Sequence, residues 1–119
     1  MRSMAFTVER LGFQPQLVDY RESWGLQTQY HDEVARGDRA STLLLLEHAA
    51  VYTAGKRTED HERPTDGTPV IDVDRGGKIT WHGPGQLVAY TIYRLHDPKD
   101  VRLFVEQIEQ AIIALMADY

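Results

Sequence analysis

Apolar residues recur along this chain with two different periods. Between Asp19 and Gly37, the residues Leu26, Tyr30 and Val34 stand four apart, with Trp24 nearby. That spacing predicts a helix. Asp19 is placed to cap its start, with Glu22 three residues on, and Gly37 suits a left-handed end. A second helix is expected after "HDPKD", where Val101, Phe104, Val105, Ile108, Ala111, Ile112 and Leu115 form one continuous stripe. Asp97 is the expected cap and Pro98 fits the first turn. No Gly or Asn closes this helix before Tyr119, an ending that reads as an interruption of a longer domain.

Between the helices the pattern changes. "STLLLLEH" (41–48) is a continuous apolar run suited to a strand buried on both faces. "AVYTAG" reads as a short strand ending at Gly55, and "VIDVD" (70–74) as another. "KITWH" (78–82) alternates, with Ile79 and Trp81 on one face and Lys78, Thr80 and His82 on the other. "QLVAYTIY" (86–93) is apolar on both faces. "GPG" joins the last two runs, which predicts an antiparallel hairpin. Residues 56–69, "KRTEDHERPTDGTP", form a long polar loop, a kind of segment that is often functional. The expected architecture is α/β (α+β): a mixed sheet of about five strands with two flanking helices, too few to cover both faces.

At 119 residues, with 42% hydrophobic residues, the chain fits one domain. No apolar run approaches the roughly 18 residues of a membrane span, and the start carries no signal-peptide pattern. The expected location is cytoplasmic. The net charge of −5 argues against a general nucleic-acid binder. Cysteine is absent, which excludes disulfides, thiolate metal sites and a cysteine nucleophile within these residues.

Gly55-Lys56-Arg57 is not a P-loop, which needs Gly at position 50 and Ser or Thr at 57, where Ala50 and Arg57 stand. The five histidines show no zinc-binding spacing. His31 is expected on a helix surface, and His61 and His96 in solvated loops. The densest stretch is "DRGGKITWHGPGQLV" (74–88), with four glycines. Composition alone fits a bend and a hairpin turn. However, Gly76 and Gly77 after Arg75 leave amides open to close approach. Lys78, Thr80 and His82 share a polar face, and Gly83 and Gly85 are expected to leave His82 beside an uncrowded surface. These residues would make one wall of a pocket with amide donors, a hydroxyl and an imidazole. His48, after the buried strand, reads first as a satisfied structural histidine, although it can face the same pocket. Tyr52 and Tyr90 read as core aromatics.

"LLLLEHAAVYTAGKRT" followed by "DRGGKITWHGPGQLVAYTIYRL" resembles the amino-terminal half of the lipoyl(octanoyl) transferases, in the wording of their actinobacterial members. Ala49 departs from the family's usual Pro after "EH". The resemblance implies a biotin/lipoate-protein-ligase-like fold, with this chain as the truncated amino-terminal part of one catalytic domain. It implies octanoyl transfer from acyl carrier protein, through an enzyme cysteine, to a lysine of a lipoyl domain, with no ATP, cofactor or metal. The acceptors would be lipoyl domains of 2-oxoacid dehydrogenases and the glycine cleavage H protein, with no nucleic acid or membrane as partner. The family's cysteine and its partner lysine lie in the carboxyl-terminal half, so no catalytic residue is expected here.

By the same resemblance Arg75, Gly76, Gly77, Lys78, Ile79, Thr80, Trp81 and His82 form the acyl-binding segment, with His48, Gly83 and Gly85 in support. Thr80 and His82 would orient the acyl carbonyl or the incoming amine, while Ile79, Trp81 and Leu87 would pack. Lys56, Arg57 and Arg63 are candidate docking cations for acidic carrier domains. Two other readings remain: an ATP-dependent lipoate or biotin ligase, disfavoured by the intact "HGPGQ", and a non-catalytic carrier-binding fragment.

Overall fold

The computed structural model describes residues 5–96 and 99–119. Its elements run β1 (Thr7–Gly12), α1 (Tyr20–Arg36), β2 (Thr42–Leu46), β3 (Val51–Ala54), a single 3-10 turn (Asp60–Glu62), β4 (Val70–Asp72), β5 (Ile79–His82), β6 (Val88–Ile92) and α2 (Val101–Met116). The strands form two three-stranded sheets, ordered β1-β2-β6 and β4-β3-β5. Each is mixed: β2 runs parallel to β1 and antiparallel to β6, and β3 runs parallel to β4 and antiparallel to β5. The α+β class with mixed sheets and two helices is therefore as expected, although β1 carries no alternation strong enough to announce it.

Helix α1 begins and ends as its sequence dictates. The Asp19 carboxylate accepts the Glu22 amide at 3.1 Å, and Gly37 closes the helix at φ +82°, where a side chain would be strained. Between these caps the helix lays Tyr30 and Val34 on Leu44, Leu46 and Ile92, with Leu11, Val18, Leu26, Val88 and Tyr90 packed around them. This is the core of the first sheet. Thr42, Leu44 and Leu46 are buried, whereas Leu43 and Leu45 on the opposite face are only half-buried. Strand β2 is thus not sealed on both faces as the apolar run suggested, because α1 covers only one.

The cap of α2 is Asp100, whose carboxylate accepts the Leu103 amide at 2.9 Å. The expected cap Asp97 and first-turn Pro98 lie outside the described residues. Helix α2 touches the rest of the fold where Phe104 stacks on Tyr93, with ring centroids 5.3 Å apart. None of its residues is buried, so its apolar stripe forms a surface.

The expected hairpin between β5 and β6 does not form. Its two strands belong to different sheets: β5 pairs with β3, and β6 with β2. The turn itself explains this. The Gln86 amide donates to the Gly83 carbonyl at 3.0 Å, Pro84 occupies the first central position, and Gly85 stands at φ +89°. That is the signature of a type II turn, which splays the flanking strands instead of matching their twist. The segment between β2 and β3 makes the same change of sheet, tied to the start of α1 by the Val18–His48 bridge.

Candidate functional site

Asp74 to Lys78 link β4 to β5, the two outer strands that flank β3, and their loop arches over the end of β3. The Lys56 amide donates to the Arg75 carbonyl at 3.0 Å, and the Arg57 amide to the Gly77 carbonyl at 2.9 Å. These contacts bring two backbones together at Gly55. A Cβ there would stand 2.5 Å from the Gly77 oxygen and 2.6 Å from an Arg75 nitrogen. Gly55 is therefore a packing requirement of the loop, not merely the end of a strand.

Arg75 holds the loop from inside. One terminal nitrogen donates to the Gly76 and Lys78 carbonyls at 3.0 and 2.8 Å. The other reaches the Thr53 carbonyl at 2.9 Å, the Thr53 hydroxyl at 3.0 Å and the Thr80 hydroxyl at 3.2 Å. Thr53 and Thr80 are cross-strand partners, so the guanidinium lies across the face that also carries His82. Its terminal donors are engaged within the protein, while its charge still acts on its surroundings. Gly77 makes the loop possible at φ +87°, and a Cβ on Gly76 would meet nothing within 4 Å. Gly76 is thus the point of the loop most open to approach.

At the other end of β5, the Gly83–Gln86 turn shapes the surroundings of His82. The Gln86 side-chain amide donates to the Trp81 carbonyl at 3.2 Å, which turns its oxygen toward His82. That oxygen lies 2.6 Å from His82 Nδ1. Because an amide oxygen can only accept, Nδ1 carries the hydrogen. The Gly85 amide donates to the Glu47 carboxylate at 2.8 Å, which pins the turn to the end of β2.

His48 is fully buried in the same cluster. Its Nδ1 lies 3.0 Å from the Val18 carbonyl, and its Nε2 lies 2.8 Å from the Tyr90 hydroxyl. The carbonyl fixes the hydrogen on Nδ1, so the Tyr90 hydroxyl donates to Nε2. Burial, first of all, holds the His48 pKa below its ordinary value, and His82 adds to that effect. Burial also pushes the Tyr90 phenol up to about 12. Tyr20, the first residue of α1, completes the group. Its ring centroid lies 5.2 Å from that of His48 and 6.4 Å from that of His82, parallel to the latter within 7°. Burial raises the Tyr20 pKa, with Arg75 opposing and Asp74 reinforcing the shift.

The structure thus brings Arg75, Thr80, His82 and His48 to one region and adds Tyr20, Gln86, Glu47, Thr53 and Gly55. His48 is the satisfied structural histidine of its first reading, and it packs against His82. Other expectations change. Gly83 does not leave open space, because the Trp81 ring occupies it: a Cβ on Gly83 would lie 2.2 Å from that ring. Trp81 is itself 40% exposed and Leu87 64%, so neither is a core residue, and Ile79 is half-buried. Lys78 pairs with Glu62 at 3.3 Å. Arg63 pairs with Asp72 at 2.8 Å, so a neighbouring carboxylate already neutralises it, unlike a free docking cation. Lys56 and Arg57 are exposed. A cavity of about 540 Å³ lies elsewhere, between the end of α1, the end of β6 and Phe104 of α2. Among the described residues no group of three His, Cys, Asp or Glu is placed to hold a metal. No helix among the described residues is long and apolar enough to cross a membrane.

Two mixed sheets, an arginine-laced glycine loop and a histidine at the end of β5 make an α+β domain. A family model described as the lipoyl protein ligase A/B catalytic domain matches residues 19–119, and the chain belongs to that family. Among curated proteins it is 58% identical over 116 residues to an octanoyltransferase of Pseudarthrobacter chlorophenolicus, covering 98% of this chain and 52% of that protein. It is 62% identical over 105 residues to an octanoyltransferase of Renibacterium salmoninarum, covering 88% of this chain and 45% of that protein. With an octanoyltransferase of Mycobacterium tuberculosis it shares 58% over 114 residues, covering 96% and 47%. The chain spans about half the length of the curated relatives it matches.

Proposed function

We propose that this chain supplies the acyl-binding wall of an octanoyltransferase that acts in lipoate biosynthesis. The observation that carries this reading is the Arg75-anchored loop, which lies on the same sheet face as His82, in a chain 57–62% identical to octanoyltransferases. Arg75, Gly76, Gly77, Lys78, Ile79, Thr80, Trp81 and His82 form the wall, and His48, Gly83 and Gly85 support it. Gly76, open on its outer side, offers backbone approach to the acyl carbonyl. His82 offers a ring nitrogen to the group beside that carbonyl. Arg75 acts chiefly by holding the loop in shape.

In the proposed reaction, a thiolate attacks the thioester carbonyl of an octanoyl acyl carrier protein and expels the carrier's thiol. An amine of a lipoyl-domain lysine then attacks the new thioester, forming an amide and restoring the enzyme thiol. The sequence contains no cysteine, so these 119 residues do not provide that nucleophile. The exposed Lys56 and Arg57 suit an acidic carrier surface, and the reaction would take place in the cytoplasm.

The test is to mix the chain with octanoyl acyl carrier protein and an apo lipoyl domain. The expected result is carrier binding without turnover, with binding weakened by Gly76→Val at the open point of the loop. Turnover by this chain alone would place the chemistry in its own residues and overturn the assignment. The family description also names ligases, which gives a second reading: a wall for an acyl adenylate. Calorimetry with ATP separates the two, since only the ligase reading expects binding.

A further inference from the structure

His82 presents a paradox if it is only a packing residue. Its ring is half-buried, yet one nitrogen is held by a hydrogen bond of 2.6 Å and the other has no hydrogen-bond partner among the described residues. Among the described residues, the unpartnered side-chain polar atoms that are fully buried are Glu9 Oε2 and Thr58 Oγ1. His82 Nε2 is not one of them, and the residue as a whole is half-buried. With hydrogen on Nδ1, Nε2 of the neutral ring carries a lone pair and accepts.

Everything around Gln86 serves to hold this state. Its amide nitrogen is anchored on the Trp81 carbonyl at 3.2 Å, so the oxygen, not the nitrogen, faces His82. Its backbone amide closes the turn on Gly83 at 3.0 Å. Glu47 ties the same turn to β2 through the Gly85 amide. Behind the ring, His48 and Tyr20 pack at 5.9 and 6.4 Å between centroids and limit its rotation.

We propose that Gln86 is a positioning residue that fixes His82 as the Nδ1–H tautomer, so that Nε2 faces the acyl-binding wall as an acceptor for an N–H of the bound substrate. The choice of substrate rests on the octanoyl-transfer reading, whereas the tautomer does not. In that reading the N–H belongs to the lysine amine as it attacks the acyl carbon, and then to the nascent amide nitrogen. A ring with hydrogen on Nε2 has no lone pair there and could not accept that N–H.

Nitrogen-15 NMR of histidine-labelled chain reads the tautomer directly, with His48 in the same spectrum as a control for the fold. Titration with N-methyl octanamide and methyl octanoate reads the acceptor, since only the amide carries an N–H. The wild-type chain is expected to show His82 as Nδ1–H at mildly alkaline pH and to bind the amide more tightly than the ester. Gln86→Leu should move His82 toward Nε2–H and reduce the amide preference, by about tenfold at most for one hydrogen bond. Gln86→Glu keeps an acceptor beside Nδ1 and should restore both readouts. Wild-type His82 found as Nε2–H, or an unchanged tautomer in a folded Gln86→Leu chain, would overturn the proposal. If Gln86→Leu also disturbs His48, the Glu variant decides: Nε2–H there overturns the proposal equally. Failure of both probes to bind, with the Nδ1–H signature intact, supports the role of Gln86 and defeats the octanoyl reading instead.

Discussion

The imidazoles of His48 and His82 lie 5.9 Å apart, centroid to centroid, and both carry their hydrogen on Nδ1, yet they are built for opposite ends. His48 donates to a main-chain carbonyl and receives the Tyr90 hydroxyl, which uses both nitrogens. His82 donates to a side-chain amide, and its other nitrogen has no hydrogen-bond partner among the described residues. The sealed ring forms the floor against which the other is oriented.

Removing the Tyr90 hydroxyl tests the floor. Tyr90→Phe leaves His48 Nε2 buried without a donor, which costs about 1–3 kcal/mol. Urea denaturation should show the midpoint falling while the slope is unchanged. A midpoint equal to that of the wild type would mean that the His48–Tyr90 bond contributes nothing to the fold.

The same burial predicts a pH dependence. The folded pKa of His48 is held below its ordinary 6.5, so below that value the unfolded chain binds more protons than the folded one. Stability contributed by neutral His48 is therefore complete above about pH 7 and declines as the pH falls through 6.5 toward the folded pKa. Glu33, Glu62 and Asp66 have lowered pKa values of their own, but their contributions fade only below the ordinary carboxylate range. Denaturation midpoints at about pH 7.5 and about pH 5.5 isolate the histidine. The loss should disappear in a His48→Gln chain, and a loss of the same size in that variant would reject His48 as its source.

The glycines of the loop should differ sharply from one another. Gly55→Ala forces a Cβ within 3 Å of two carbonyls and the Arg75 guanidinium, overpacking that costs about 1–3 kcal/mol. Gly77→Ala must hold φ +87° and loses roughly 1 kcal/mol. Gly76→Ala meets open space and should leave stability nearly unchanged. Thermal melts of the three variants give the ranking, and equal losses at Gly55 and Gly76 would contradict the close approach of the two backbones.

Local signals were readable in the sequence where one residue decides one local geometry. Asp19 and Gly37 bounded α1, and the alternation of "KITWH" placed Thr80 and His82 on one face. What stayed hidden depended on partners distant in sequence. Nothing near Val88 says that it pairs with Leu46 and not with a residue of β5, so the pattern predicts a hairpin although Pro84-Gly85 suits a splayed turn. The stripe points to Asp97 as the cap of α2, whereas Asp100, three residues on, holds the Leu103 amide. Tyr20 and Gln86 carry no local signal of a site, because their roles exist only once α1 and the Gly83–Gln86 turn converge on His48. Gly55 gave a local hint, a glycine leading into two cations, but its reason lies with Arg75 and Gly77 across the sheet.

Helix α2 offers the last test, on association. Ile112, Ile113, Leu115 and Met116 are 53–62% exposed, whereas the amino-terminal half of the helix meets the fold where Phe104 stacks on Tyr93. An apolar surface of this length on an isolated chain favours self-association. Sedimentation of the 119-residue chain should therefore show species heavier than the monomer as concentration rises. Ile112→Glu with Leu115→Lys places opposite charges three residues apart on the exposed helix face, where they support the helix and interrupt the stripe. The double variant should stay monomeric with its helical content retained. Equal association in the variant would shift the sticky surface to another apolar site, such as Val8 on β1 or Leu87 beside the turn, exposed by 53% and 64%.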